Sequence, residues 1–230
     1  MINNYWLAFQ QLGDRRIWKP VLWATLFSLV TLTLIIILGT SVSGWFFDSI
    51  FSYFDSYEKG SWVRIAAQSI ITIFLFFLGF FFFGSIHAAF LGIFIDDIID
   101  AVQEKHYPGI TLQPAPKMVT SVIISLRLVI LSLVVNLIAA PLYLMGWFVP
   151  PIGITLQLFV NGFLFGREYR ITLKQRLPKE IFNKTQSFTL YGMLGAAFLM
   201  IPIANFIAPL MICNSILHAM IKKNAGPSAR

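Results

Sequence analysis

Residues 65–95 read IAAQSIITIFLFFLGFFFFGSIHAAFLGIFI, an apolar run that contains no Asp, Glu, Lys or Arg. At about 1.5 Å per residue, a helix of this length would extend roughly 46 Å, which exceeds the roughly 30 Å of hydrocarbon in a bilayer. A second run without charged residues covers residues 21–47. Both runs are long enough to cross a membrane, so the sequence predicts a helical membrane protein.

The composition of the whole chain favours lipid as its solvent. Of its 230 residues, 57% are hydrophobic and 12% are charged, and a typical soluble domain carries about twice that charged fraction. The formal net charge is +7, but the cations lie in short segments between apolar runs. This pattern follows the positive-inside rule and argues against nucleic acid as a partner. The single cysteine, Cys213, excludes a disulfide within the chain and a thiolate metal site.

We predict one all-α membrane domain over residues 1–230, a polytopic helical protein with two long transmembrane helices and two partly penetrating, proline-broken helical hairpins. The expected segments are an interfacial helix at 1–14, long helices at 20–47 and 65–105, and hairpins at 118–166 and 188–221. Hairpins are favoured because prolines interrupt the late apolar stretches, and residues 154–165 are too few to cross the bilayer unaided. Six full crossings would give the same distribution of Lys and Arg, and either arrangement places both termini in the cytoplasm.

The turn Gly13-Asp14-Arg15-Arg16, at the mouth of the first long helix, is the first candidate site. Backbone N–H groups at a helix start and two guanidinium groups can together bind an anion. The simpler alternative is that these cations only anchor the helix at the membrane surface and fix its orientation.

Arg127 lies within the otherwise apolar stretch of residues 118–140. A charge there costs at least about 2.5–3.5 kcal/mol on insertion scales, so we expect Arg127 to face water or a partner such as Glu168 or Asp96. A transport path and a structural ion pair are both compatible with this position. The candidates for a pore or an ion pair are Arg127, Asn136, Asn161 and Glu168.

Acidic residues follow the second long run, and three of them, Asp96, Asp100 and Glu104, share one helical face. A proton relay or a divalent cation is conceivable there, and a solvated helix end is the simpler explanation. His87 is the lone imidazole of the second long run, where packing is its default role and proton transfer the alternative. The candidates for proton transfer are His87, Asp96 and Asp97.

No nucleophile elbow, phosphate-binding loop, dinucleotide fingerprint or His/Cys metal spacing occurs in the sequence. No pair of catalytic residues is expected at matching depth in the membrane. The sequence therefore predicts a protein that is not an enzyme and that uses no cofactor and no metal.

Four motifs together resemble the CysZ sulfate permease family and its uncharacterised membrane relatives, and the resemblance spans most of the chain. The motifs are Gly13-x-Arg15-Arg16 with Pro20, the acidic end Asp96-Asp97-x-x-Asp100, the proline–glycine hairpin at 150–153, and Tyr191-Gly192 followed by Met200-Ile201-Pro202-x-x-Asn205-x-x-x-Pro209. Two features differ from the sulfate permeases. Asp14 stands where the family usually has an apolar residue, and residues 161–169 read more like the uncharacterised relatives.

The resemblance implies uptake of sulfate, or a similar oxyanion, across the bacterial inner membrane for cysteine synthesis. It places the sulfate at Gly13, Arg15 and Arg16, and it implies a homo-oligomer in contact with membrane lipid. The alternative function is a non-transporting membrane scaffold whose basic face binds anionic lipid or a partner protein.

Overall fold

The computed structural model describes residues 1–51, 57–181, 187–201 and 204–224. In chain order its α-helices are α1 (Ile2–Gln10), α2 (Arg15–Phe51), α3 (Tyr57–Ile93), α4 (Ile95–His106), α5 (Met118–Phe148), α6 (Pro150–Arg176), α7 (Thr189–Leu199) and α8 (Ala208–Asn224). Short 3-10 turns cover Gln11–Gly13 and Ala204–Phe206. These ranges contain no β-strand, so the prediction of an all-α protein is confirmed.

Within the residues that the structure describes, two segments are long and apolar enough to cross a membrane, Arg15–Ile50 and Val119–Gly146. Only 17% and 7% of their most apolar windows are buried by the rest of the chain. An apolar helix that the protein itself leaves uncovered needs an apolar surrounding, and lipid supplies it. The predicted class, a helical membrane protein, is therefore the class of this structure.

The bounds of three predicted segments differ from the structure. α2 begins at Arg15 rather than at residue 20, so Pro20 lies inside the helix. The long helix predicted at 65–105 is divided at Phe94, whose φ of −97° and ψ of 8° leave the α-helical region. α6 has 27 residues, although only residues 154–165 of it form an uncharged apolar stretch, because charged residues continue a helix as readily as apolar ones.

The two late pairs of helices are each interrupted near prolines. α5 ends at Phe148 and α6 begins at Pro150, so prolines occupy the first turn of α6, where a missing N–H has no cost. α7 ends at Leu199, and α8 begins at Ala208 after a 3-10 turn. The depth of these pairs in a bilayer stays a prediction.

The chain forms two compact units, and the second comprises Leu22–Gly92. Within this unit α2 and α3 pack as an antiparallel pair. A Cβ on Gly39 would lie 2.7 Å from the Leu75 side chain, and one on Gly79 would lie 2.4 Å from the Leu32 side chain. These small residues allow the two long helices to approach closely.

The first unit comprises Met1–Val21 together with the chain from Ile93 onward, and α8 is its core. Residues 210–221 of α8 are all buried, and the helix packs against α1, α4, α6 and α7. On α1, Tyr5 and Ala8 pack against Met211, whereas Trp6 and Phe9 remain exposed. The predicted interfacial helix thus has one face in the core and an aromatic face outside it.

The backbones of α6 and α7 are in direct contact where these helices cross. A Cβ on Gly192 would lie 2.0 Å from the carbonyl oxygen of Gly162 and 2.8 Å from the backbone nitrogen of Gly166. No side chain larger than hydrogen fits at that crossing. Glycines four residues apart on α6 therefore determine how closely α7 packs.

Candidate functional site

The predicted anion-binding residues lie together in the exposed turn that precedes α2. Gly13 ends a 3-10 turn, Asp14 has an extended backbone with φ −88° and ψ 121°, and α2 begins at Arg15. A Cβ built on Gly13 would have no neighbouring heavy atom within 4 Å. The side chains of Arg15 and Arg16 are exposed. Gly13, Arg15 and Arg16 thus lie at the start of a long helix, where both guanidinium groups are exposed to solvent.

Asp14 is the N-cap of α2. Its Oδ1 accepts a hydrogen bond from the backbone N–H of Arg16 at 3.0 Å, which is the usual contact of an aspartate at this position. Its Oδ2 lies 3.0 Å from Nζ of Lys105 on α4. The Arg16 N–H and then the Lys105 ammonium hold the pKa of Asp14 below its usual range. The carboxylate is therefore charged at neutral pH and occupies the first turn of the helix.

The two arginines of the turn have different surroundings. Nη1 of Arg16 lies 2.5 Å from Oε2 of Glu104, and these side chains are 68% and 61% exposed. Arg15 forms no ion pair within the described part of the chain. Because the Arg16–Glu104 pair lies in water, its net stabilisation is small.

Hydrogen bonds from residues in the first turn of α2 hold the preceding turn in place. The indole N–H of Trp18 donates to the carbonyl oxygen of Leu12. The backbone N–H groups of Ile17 and Trp18 donate to the carbonyl oxygen of Asp14 at 3.1 and 3.3 Å. Ile17 is 2% exposed, so its burial holds the first turn of α2 against the core of the first unit.

A buried polar cluster, which sequence reasoning missed, lies immediately before the turn. Gln11 is 2% exposed, and His218 and Asn214 are fully buried. Nε2 of Gln11 lies 2.6 Å from Nε2 of His218, Tyr107 Oη lies 2.5 Å from Nδ1 of His218, and Asn214 Nδ2 donates to Gln11 Oε1 at 2.9 Å. Since the Gln11 nitrogen can only donate, the His218 ring accepts at Nε2 and is neutral. Burial lowers the pKa of His218 to about 3.

Asp96 and Asp100 form ion pairs with one cation rather than an open acidic face. Nε of Arg176 lies 3.1 Å from Asp96 Oδ1, and Nη2 of Arg176 contacts Asp100. Nη1 of Arg176 also donates to the Gln113 carbonyl oxygen at 2.7 Å. Burial raises the pKa of Asp96, and Arg176 opposes this shift. The Arg176 side chain is 5% exposed, so this cluster joins the last turn of α6 to α4.

The other candidates for proton transfer occupy separate surroundings. Asp97 is exposed on α4. His87 belongs to the second unit, is 1% exposed, and has its Nε2 3.2 Å from Thr25 Oγ1. Its ring also stacks on Phe83, with centroids 6.0 Å apart. The geometry of His87 is that of a packed residue between α2 and α3, and its proposed proton transfer stays a prediction.

Two of the four pore candidates, Arg127 and Asn136, lie on α5, but they are on different faces of it. Arg127 and Asn136 are nine residues apart, which places them on opposite sides of a helix with about 3.6 residues per turn. Asn136 Nδ2 donates to the Ser132 carbonyl oxygen at 2.8 Å in its own helix. Arg127 is exposed and forms no ion pair with any residue that the structure describes, and Asp96, one of its expected partners, is held by Arg176. Asn161 and Glu168 are half-buried on α6.

The described ranges contain no group of three or more His, Cys, Asp or Glu side chains that could hold a metal ion. The turn before α2 and the last turn of α4 together carry exposed side chains of both charges. These exposed cations and the helix N-terminus are suited to bind a small anion.

Comparison with protein families gives a match over most of the chain. Residues 4–209 match the family described as "Sulfate transporter CysZ/Etoposide-induced protein 2.4". No curated protein and no solved structure matches the chain. The matched range contains the turn before α2, both candidate membrane-spanning segments and the α6–α7 crossing. The chain therefore belongs to the family of the sulfate transporter CysZ and etoposide-induced protein 2.4.

Proposed function

We propose that this protein is a permease for an inorganic anion, and that it takes up sulfate across the bacterial inner membrane for cysteine synthesis. The observation that carries the proposal is the exposed turn of Gly13, Arg15 and Arg16 at the N-terminus of α2, in a chain of a sulfate transporter family. A tetrahedral dianion matches such a site because its oxygens accept hydrogen bonds from two guanidinium groups at once, and because negative charge is favoured near a helix N-terminus.

The energetics of uptake require a driving force. A dianion that enters against a membrane potential of 100 mV needs about 4.6 kcal/mol, since each charge contributes about 2.3 kcal/mol. Consumption of sulfate in the cell can supply this as a concentration gradient, and coupling to protons is the other route. In a coupled mechanism, Asp96, Asp97, His87 and Glu168 are the candidates for carrying the proton.

The proposal includes an arrangement in the membrane. Both termini lie in the cytoplasm, because the segments rich in Lys and Arg then lie on the inner side. Trp6 and Phe9, which are exposed on α1, lie among the lipid headgroups, where aromatic side chains are favoured. We expect the working form to be a homo-oligomer, with the exposed apolar faces of α2 and α5 covered by lipid and by further subunits.

Binding of sulfate to the purified full-length protein tests the site. The Arg15→Ala/Arg16→Ala double variant is expected to lose sulfate binding. A matched double variant, Arg64→Ala/Lys179→Ala, removes two exposed cations elsewhere and is expected to bind as the wild type does. Unchanged affinity in the Arg15→Ala/Arg16→Ala variant would reject the site.

A membrane scaffold is the second candidate function, and the exposed aromatic face of α1 beside the basic turn favours it. Such a surface binds anionic lipid without any pore. Flux of radiolabelled sulfate into proteoliposomes separates the two functions. Flux above that of empty vesicles supports the permease, and flux equal to empty vesicles supports the scaffold.

A further inference from the structure

The last turn of α4 contacts the turn before α2 through two consecutive residues of opposite charge. Glu104 forms an ion pair with Arg16 at 2.5 Å, and Nζ of Lys105 lies 3.0 Å from Oδ2 of Asp14. These contacts join residues that are 88 and 91 positions apart in the chain. The candidate anion site therefore has a second wall, which α4 provides.

Two carboxylates of the protein accept hydrogen bonds from Arg16. Asp14 accepts the hydrogen bond from the Arg16 backbone N–H, and Glu104 accepts from the Arg16 guanidinium. A bound oxyanion competes with Glu104 for the Arg16 guanidinium, whereas the Arg16 backbone N–H stays bonded to Asp14. Without the anion, the charge of the Arg16 guanidinium is thus balanced by Glu104.

The two carboxylates differ in how easily an anion can displace them. The Asp14 side chain is 18% exposed and is held by Lys105, whereas the Glu104 side chain is 61% exposed. An ion pair in water contributes little net stability, so a competing anion can separate it. Glu104 is therefore the carboxylate that leaves readily, and Asp14 is the one that stays as the helix cap.

We propose that Glu104 is an internal competitor that an oxyanion displaces from Arg16, and that Lys105 is a further cation of the same anion site. The inference rests on the proposed function, because it assumes that the anion binds at Gly13, Arg15 and Arg16. Lys105 also explains how the site accommodates Asp14. Its ammonium group offsets the carboxylate that would otherwise repel a dianion.

The proposal predicts effects of opposite sign at two neighbouring residues. Glu104→Gln removes the competitor and is expected to tighten sulfate binding by about twofold to fivefold, the range of an exposed ion pair. Lys105→Gln removes a cation and leaves Asp14 unpaired, so it is expected to weaken binding by at least a similar factor. Lys105→Arg keeps the charge and is expected to bind as the wild type does.

The experiment is a titration of the purified full-length protein with potassium sulfate at constant ionic strength, kept with potassium gluconate. The neighbouring exposed residues Glu180 and Lys179 provide matched controls, because Glu180→Gln and Lys179→Gln change the net charge by the same amounts. Melting temperatures of all variants show whether each one is folded, and Asp14→Asn serves as a second variant that removes a carboxylate from the site.

The outcomes distinguish this inference from the function on which it rests. Tighter binding in Glu104→Gln with weaker binding in Lys105→Gln, beyond the two controls, supports it. If Arg15→Ala/Arg16→Ala abolishes binding while Glu104→Gln and Lys105→Gln match their controls, the inference fails and the anion site stands. If the double arginine variant also binds normally, both fail.

Discussion

Acidification from pH 7.5 to pH 5.0 is expected to destabilise the folded protein through His218. This side chain is fully buried and is held as a neutral ring between Gln11 and Tyr107. Burial lowers its pKa to about 3 from an ordinary value of 6.5, and the neighbouring His106 and Lys222 oppose its charge further. The unfolded chain therefore takes up a proton on His218 between these two values, while the folded protein does not.

The sign and the size of the effect follow from that difference. A state that binds more protons gains stability as the pH falls, so the unfolded state gains below pH 6.5 and the full stability of the fold is present above it. At pH 5.0, which is 1.5 units below the ordinary value of 6.5, the loss is about 2 kcal/mol. For a chain of this size it corresponds to a decrease of about 4–8 °C in the melting temperature.

Thermal unfolding of the detergent-purified protein, followed by tryptophan fluorescence at both pH values, measures this effect. His218→Gln places a neutral amide in the cluster, so at pH 7.5 it is expected to be less stable by about 1–3 kcal/mol because a buried partner is lost. On acidification, the melting temperature of His218→Gln is then expected to fall by about 4–8 °C less than that of the wild type. Tyr107→Phe removes one hydrogen bond but keeps the imidazole, so it retains the pH dependence. An equal decrease in the wild type and in His218→Gln would refute the reasoning.

Two further predictions concern packing and ion pairing. Gly192→Ala is expected to destabilise the protein by about 1–3 kcal/mol or more, because its Cβ would lie 2.0 Å from the Gly162 carbonyl oxygen. Gly92→Ala is the control, because a Cβ at Gly92 would have no heavy atom within 4 Å, and it is expected to be neutral or stabilising. Equal melting temperatures of the two variants would contradict the close contact of α6 and α7 at Gly192. Arg176→Met is expected to lower stability by about 1–3 kcal/mol, less than a fully buried pair, because its carboxylate partners are partly solvated. Arg167→Met, on the exposed face of α6, is its control. Equal melting temperatures of Arg176→Met and Arg167→Met would show that the ion pairs of Arg176 do not stabilise the fold.

The sequence was sufficient for those features that depend on local pattern. Charge-free runs predict membrane helices, and the Gly13-Asp14-Arg15-Arg16 turn predicts the start of the first long helix. The helix nevertheless begins at Arg15 rather than at the predicted residue 20, so Arg15 and Arg16 belong to α2. Likewise, the end of α6 could not be located from hydrophobicity, since its last turns are charged and helical at the same time.

The pairing of charges could not be predicted because it depends on tertiary contacts. Glu104 and Arg16 are 88 positions apart, and Asp100 and Arg176 are 76 positions apart. The local pattern shows that Asp96, Asp100 and Glu104 share a helical face. It does not identify the distant cations that pair with this face. Asn214 and His218, one turn apart on α8, were the available signal for the buried cluster, since polar residues at this spacing on an apolar helix face one neighbour.

The glycine contacts between α6 and α7 have a consequence for transport. Where the Gly192 backbone touches Gly162 and Gly166, the gap between the two helices is too narrow for a methyl group. The two backbones touch there, so no gap wide enough for sulfate lies at this crossing. Under the proposed transport function, the path of sulfate therefore does not pass between α6 and α7 at this crossing.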